Sequence, residues 1–119
     1  MPNKKMLTEL ALIIIGYAQK KETVTYGKLS RDVDGCISPE NMRLHLGPIS
    51  TVCHEEGFPM LSAIVVNQGG MPGDGYFGLY EELYGTLKDA DKDWERECDK
   101  VYAVADWSPV IKRLREGRF

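Results

Sequence analysis

The residues best equipped for chemistry in this chain are Cys53 beside His54, the acidic run from Asp89 to Asp99, and the glycines at 73, 75 and 78, which spell G-x-G-x-x-G. A thiol next to an imidazole suggests nucleophilic catalysis, in which the base removes the thiol proton. The spacing argues against it. Residues i and i+1 of a helix do not face each other, and Cys53 falls on an apolar stripe with Met42, Leu46 and Ile49. Cys53 therefore reads as a small buried hydrophobe. In the acidic run, Lys92, Arg96 and Lys100 interleave with the carboxylates at helical distances. That is the pattern of a solvated helix laced with ion pairs rather than of paired acid and base. The three cysteines, at 36, 53 and 98, form no C-x-x-C pair, and with His45 they match none of the compact zinc spacings. No disulfide framework, metal or cofactor is expected.

The glycine motif is a dinucleotide fingerprint only when it opens a helix between parallel strands. Here the density of Asn, Gly, Pro and Asp from Asn67 to Gly75 predicts a turn, and "YFGLY" after it predicts a returning strand, so the segment reads as a hairpin tip without a phosphate site. No Gly-Lys-Ser/Thr follows, which excludes a P-loop. Two features point instead to recognition. Arg43 sits on the polar side of a helix, close to Asn41, His45 and Ser50. The glycine loop carries Met71, Pro72, Tyr76 and Phe77, apolar material that either folds onto its own domain or is covered by a partner.

The elements that must position these residues fit one globular domain: 119 residues, 43% hydrophobic and 28% charged. The longest apolar stretch, Leu10 to Ala18, is too short for a membrane span and lacks a secretory cleavage site, so a cytoplasmic chain with no membrane partner is expected. The formal net charge of -3 means that any contact with nucleic acid must rest on a local patch. Apolar spacing predicts a helix over Leu7–Ala18, a short strand over Thr23–Thr25, two helical turns over Tyr26–Val33 and a turn at Asp34 and Gly35. Ser38 and Pro39 then open a helix that ends at Gly57 and should kink or restart at Gly47 and Pro48. Leu61–Val66 reads as a covered strand. Ala90, Trp94, Cys98, Val101 and Ala105 mark an acidic, exposed helix, and Ser108 with Pro109 opens a last basic helix with Val110, Ile111 and Leu114 inward.

This order predicts an α+β winged helix-turn-helix over residues 1–119, with a short β-hairpin wing at about 61–80 and a C-terminal helical extension at about 88–118. "ETVTYGKLSRDVDG" resembles the segment that opens the DNA-binding part of the alkylguanine DNA alkyltransferases and alkyltransferase-like proteins, with Thr25, Tyr26, Gly27 and Leu29 in matching places. The resemblance continues through Arg43 and Gly47 to Pro59, Val65 and Val66. It implies nucleic-acid binding without alkyl transfer, because Pro59, Met60, Leu61 and Ser62 stand where those transferases carry Pro-Cys-His-Arg. The stretch from Leu46 to Asn67, with "MPGDGYF", is also similar to uncharacterised winged-helix modules of phage and bacterial defence proteins. The resulting expectation is a non-enzymatic DNA-binding protein using Lys28, Arg31, Asn41, Arg43 and His45. The alternative is an acidic protein-binding module, such as a phage-encoded inhibitor of a host nuclease or CRISPR-type defence complex, using Asp91, Glu95, Asp99, Met71 and Tyr76.

Overall fold

A computed structural model describes residues 3–119. Helix α1, Lys4–Gln19, begins where the Asn3 side chain accepts the Met6 N–H at 2.8 Å, and buries Leu7, Leu10, Ala11, Ile14 and Ala18 on the stripe that the i, i+3, i+4 spacing predicts. Strand β1, Val24–Thr25, leads into α2, Tyr26–Asp32, which is capped by the Thr25 hydroxyl accepting the Lys28 N–H. Asp34 and Gly35 turn the chain with φ of 55° and 73°. The Ser38 hydroxyl caps a 3-10 turn at Pro39–Asn41, and α3, Met42–Glu55, follows it.

Helix α3 differs from expectation in one respect. It runs through Pro48 without restarting. The acceptor that Pro48 leaves without a donor is the carbonyl of Leu44, a residue 56% exposed. The stripe Met42, Leu46, Ile49 and Cys53 is buried as predicted. Gly57, at φ 78°, ends the helix: its N–H reaches His54 O while Phe58 N–H reaches Cys53 O.

The winged-helix expectation fails after Gly57. Of the described residues 67% are helical, in six α-helices and two 3-10 turns, and the only sheet among them is a two-stranded parallel pair with Val24 opposite Val65 and Thr25 opposite Val66. There is no β-hairpin wing. The expected strand over Leu61–Val66 is a 3-10 turn, Leu61–Ile64, followed by the two-residue β2, Val65–Val66, all of it buried. The expected returning strand is α4, Asp74–Tyr84, opened by Gly73 and closed by Gly85 at φ 97°. Helix α5, Ala90–Ala103, and α6, Ser108–Glu116, complete the chain. One core cluster joins α1, α3, the buried 61–66 segment, α5 and α6.

Side chains far away in sequence explain why 61–66 does not extend as a strand. The α5 face that packs on it carries Trp94, Glu97 and Cys98. The Trp94 indole N–H and the Cys98 thiol both donate to Ala63 O, and the Glu97 carboxylate accepts the Met60 N–H at 2.9 Å. On the other side the Ser50 and Ser62 hydroxyls bond each other at 2.7 Å. Backbone groups that strand neighbours would satisfy are thus satisfied by side chains, and the segment curls.

Glu97 is 2% exposed, and besides Met60 N–H it accepts the Tyr84 hydroxyl at 2.6 Å. Truncating Glu97 to alanine leaves the buried Met60 N–H unpaired and takes the acceptor from the partly exposed Tyr84 hydroxyl, and should cost roughly 1–3 kcal/mol, whereas Glu97→Gln keeps an acceptor and should cost about half as much. Urea unfolding of the two variants measures the difference; an alanine variant as stable as the parent would show that the carboxylate organises nothing.

Candidate functional site

The amino end of α4 lies against α2 and α3. A Cβ added at Gly73 would stand 3.4 Å from the Tyr26 hydroxyl, and one at Gly75 4.0 Å from Arg43 Cβ, ordinary contact distances that put the three elements side by side. Between them runs a groove of about 450 Å³, lined by Tyr26, Arg43, Leu46, Ser62, Tyr76 and Leu79, with Glu40 and Glu82 also in its walls. Its volume falls in the range of small-molecule sites. The Tyr26 hydroxyl accepts the Gly73 N–H at 3.4 Å, and burial raises its pKa above the usual tyrosine value against the pull of that N–H. Arg43 is exposed and forms no ion pair or hydrogen bond among the described residues.

The glycine loop before the groove folds on itself. Asn67 Oδ1 accepts the N–H groups of Gly69 and Met71, and Asn67 N–H reaches Met71 O at 2.8 Å. The motif glycines do open a helix after a strand, contrary to the hairpin reading. The β2 strand is the second and last of its sheet, however, so no parallel strand follows α4 to complete a dinucleotide unit.

The residues expected to read nucleic acid separate. Of the five, Arg43 alone lines the groove. The Lys28 ammonium donates to the Tyr17 hydroxyl at 2.6 Å and stands 3.6 Å from Asp32, and these partners raise its pKa, the Tyr17 bond first. His45 Nδ1 lies 3.3 Å from Asn41 O, which ties those two residues to each other. Arg31 is exposed and has no ion pair among the described residues. Of the residues expected to meet a protein partner, Asp91, Glu95 and Asp99 are exposed in one row on α5, and Met71 is 37% exposed. Tyr76 is 4% exposed and packs into the core, and it lines the groove rather than standing on an open surface.

Sequence reasoning missed Ser62 and Glu97. Ser62 reaches the groove only because 61–64 curls. Glu97 had a signal: it is three residues after Trp94 and four before Val101, inside the apolar stripe, so a carboxylate there had to be buried with partners.

Among the described hydrogen bonds, no nucleophile in the groove is paired with a base. The Ser62 hydroxyl accepts the Ser50 hydroxyl and contacts no histidine or carboxylate that would take its proton, among the described hydrogen bonds. Burial pushes the Cys53 and Cys98 thiols up to about 12, with nearby carboxylates adding to the effect. Cys36 is exposed. No group of three or more His, Cys, Asp or Glu side chains able to hold a metal occurs among the described residues, and no helix among them is long and apolar enough to cross a membrane. No protein family, curated protein or solved structure matches the chain.

The buried thiols set a pH dependence. Their folded pKa values lie above the ordinary 9.0, so they stay protonated in both states below pH 9 and ionise first in the unfolded chain above it. Stability is therefore complete below pH 9 and falls as pH climbs from 9 toward 12, by up to about 1.4 kcal/mol per pH unit for each thiol. Replacing Cys53 with alanine should cost about 1 kcal/mol at pH 7 and flatten that alkaline loss. A thiol reagent should label Cys36 rapidly in the native protein and leave Cys53 unreacted; fast labelling of Cys53 would contradict its burial.

Proposed function

We propose that this protein is a non-enzymatic nucleic-acid-binding protein that docks the start of α3 on the nucleic acid and receives an unstacked base in the α3–α4 groove. The observation that carries the reading is the free guanidinium of Arg43 at the rim of a groove with aromatic and apolar walls. An unpaired arginine can make a bidentate contact to guanine or a phosphate contact. Glu40 and Glu82 repel phosphate from the groove itself, but a carboxylate accepts the exocyclic amino groups of bases. Leu46, Leu79 and the two tyrosines supply the apolar surface that replaces base stacking. Exposed Arg31, on the neighbouring α2, is suited to a phosphate.

The resemblance to alkyltransferase-like proteins supports the same reading. Tyr26, Arg43 and Gly47, which carry part of it, all line this groove together with Gly73 and Gly75. The place of the reactive cysteine is taken by Met60, which is buried outside the groove, so alkyl transfer is not carried over and the base-holding reading rests on the groove's own walls.

A specific observation favours a second reading, a protein-binding module. Asp91, Glu95 and Asp99 form an exposed row with no ion-pair partner among the described residues, which suits a basic surface that otherwise holds nucleic acid.

Fluorescence anisotropy with duplexes carrying a mismatched or unpaired base, titrated over salt, separates the two. Arg43→Ala should weaken binding by about 1–3 kcal/mol if it reads a base, or lower the salt slope by about one unit if it touches phosphate. Absence of binding to any duplex or single strand at about 50 mM salt, where non-specific contacts are strongest, would sink the nucleic-acid reading. Capture of a host protein that is lost when Asp91, Glu95 and Asp99 are reversed to lysine would then establish the second.

A further inference from the structure

We infer that the groove between α1 and α6 is a second binding site, built for an acidic amphipathic segment of a partner protein. Two adjoining hollows form it, of about 1000 and 370 Å³, joined through Leu12 and Arg115, and they share no lining residue with the α3–α4 groove. The floor is apolar: Leu12, Ile15 and Ile111 line it, and Leu12 is 44% exposed.

The rim is basic. Of the chain's 15 lysines and arginines, six line these two hollows: Lys4, Lys5, Lys112, Arg113, Arg115 and Arg118. The chain as a whole carries -3, so this is a local reversal of sign. Arg113 is taken up by Glu55 and Glu56, and Arg118 by Glu116. Lys4, Lys5, Lys112 and Arg115 have no ion-pair partner among the described residues, whereas the acidic side chains left on the rim are Glu9 and Asp106, the latter holding the Ser108 N–H and hydroxyl at the start of α6. Free positive charge beside an open apolar floor calls for an occupant with both negative charge and an apolar anchor.

Other occupants fit less well. A nucleic acid would meet the cations and leave the leucine floor uncovered, because phosphate contacts bury little apolar surface. A flat anionic membrane cannot reach the floor of a concave groove. A second copy offers the acidic row of α5, but Lys92 and Arg96 lie between its carboxylates and no large apolar side chain is exposed there to anchor on Leu12. A helical or extended peptide with acidic residues around leucines meets both demands.

Trp107 lines the groove at 4% exposure, with an indole N–H that lacks an acceptor, and the chain has only one other tryptophan, Trp94. A Trp94→Phe variant therefore reports on the groove by fluorescence, and amide shifts of the unmodified protein give a second reading should that variant not fold. The probe is a peptide of about 12 residues, Glu with Leu at helical spacing, set against the same peptide with Lys for Glu and against polyglutamate without Leu. The expected result is saturable binding of the Glu/Leu peptide alone, with shifts confined to α1 and α6. Lys112→Glu with Arg115→Glu should weaken it more than tenfold, Leu12→Ser should weaken it as well, and Arg43→Ala should leave it unchanged. Equal binding of polyglutamate, unchanged binding in the charge-reversed variant, stronger binding of duplex DNA or anionic vesicles at the same residues, or a Leu12-dependent dimer in sedimentation would each overturn the proposal.

Discussion

A single buried carboxylate organises the half of the molecule that departs from a winged helix. Glu97, 2% exposed, receives the backbone N–H of Met60 and the hydroxyl of Tyr84, while the nearest cation, Lys100, stands 3.9 Å away at the surface. Taking a carboxylate out of water costs several kcal/mol, and only a full set of donors offsets it. Those donors come from two separate segments, so the charge is tolerable only when α5 holds both the turn before 61–64 and the end of α4. The tyrosines record the field this creates: burial and the nearby Glu97 charge raise the pKa of Tyr76 and of Tyr84 well above the ordinary tyrosine value.

The groove follows from that clamp. With Met60 and Ala63 bonded to α5, the 61–64 segment curls and presents Ser62 beside Leu46. Helix α4 is held at its far end by Tyr84, whose hydroxyl reaches Glu97 and whose ring meets His54 of α3 edge-on, and at its start by the Tyr26–Gly73 contact. The walls of the site are therefore set by interactions outside it. A change on the buried face of α5 should be felt in the groove as well as in stability, because the same bonds serve both.

The charges are segregated in a way that net charge conceals. Helix α5 turns its apolar and buried residues inward and an uncompensated acidic row outward, whereas α1 and α6 enclose uncompensated cations beside exposed leucine. A total of -3 describes neither face. Screening at physiological salt acts over roughly 8 Å, so faces of a molecule measuring 35 × 29 × 27 Å behave almost independently toward partners.

Local spacing alone determined much of this protein. Leu7, Leu10, Ile14 and Ala18 for α1, Met42, Leu46, Ile49 and Cys53 for α3, and Val110, Ile111 and Leu114 for α6 are legible because a helix satisfies its own backbone and needs only one apolar face. The cap at Ser38 and the stop at Gly57 are legible for the same reason, since each acts within about one turn. Helix α4 was readable in part from Tyr76, Tyr80 and Tyr84 at four-residue intervals, but Gly75 and Gly78 weakened that signal and the aromatic run suggested a strand. Arg43 and Tyr26 could be picked out singly; their meeting at one groove could not. The fate of 61–66 was decided by tertiary structure alone. Its apolar side chains suit a strand or a buried turn equally, and the choice rests on Trp94, Glu97 and Cys98, whose bonds reach back 31, 37 and 35 residues to Ala63, Met60 and Ala63. No local pattern carries that information, because a backbone group's partner is chosen by where the chain has already brought a donor or acceptor, and here that place was set by α5 packing on the core.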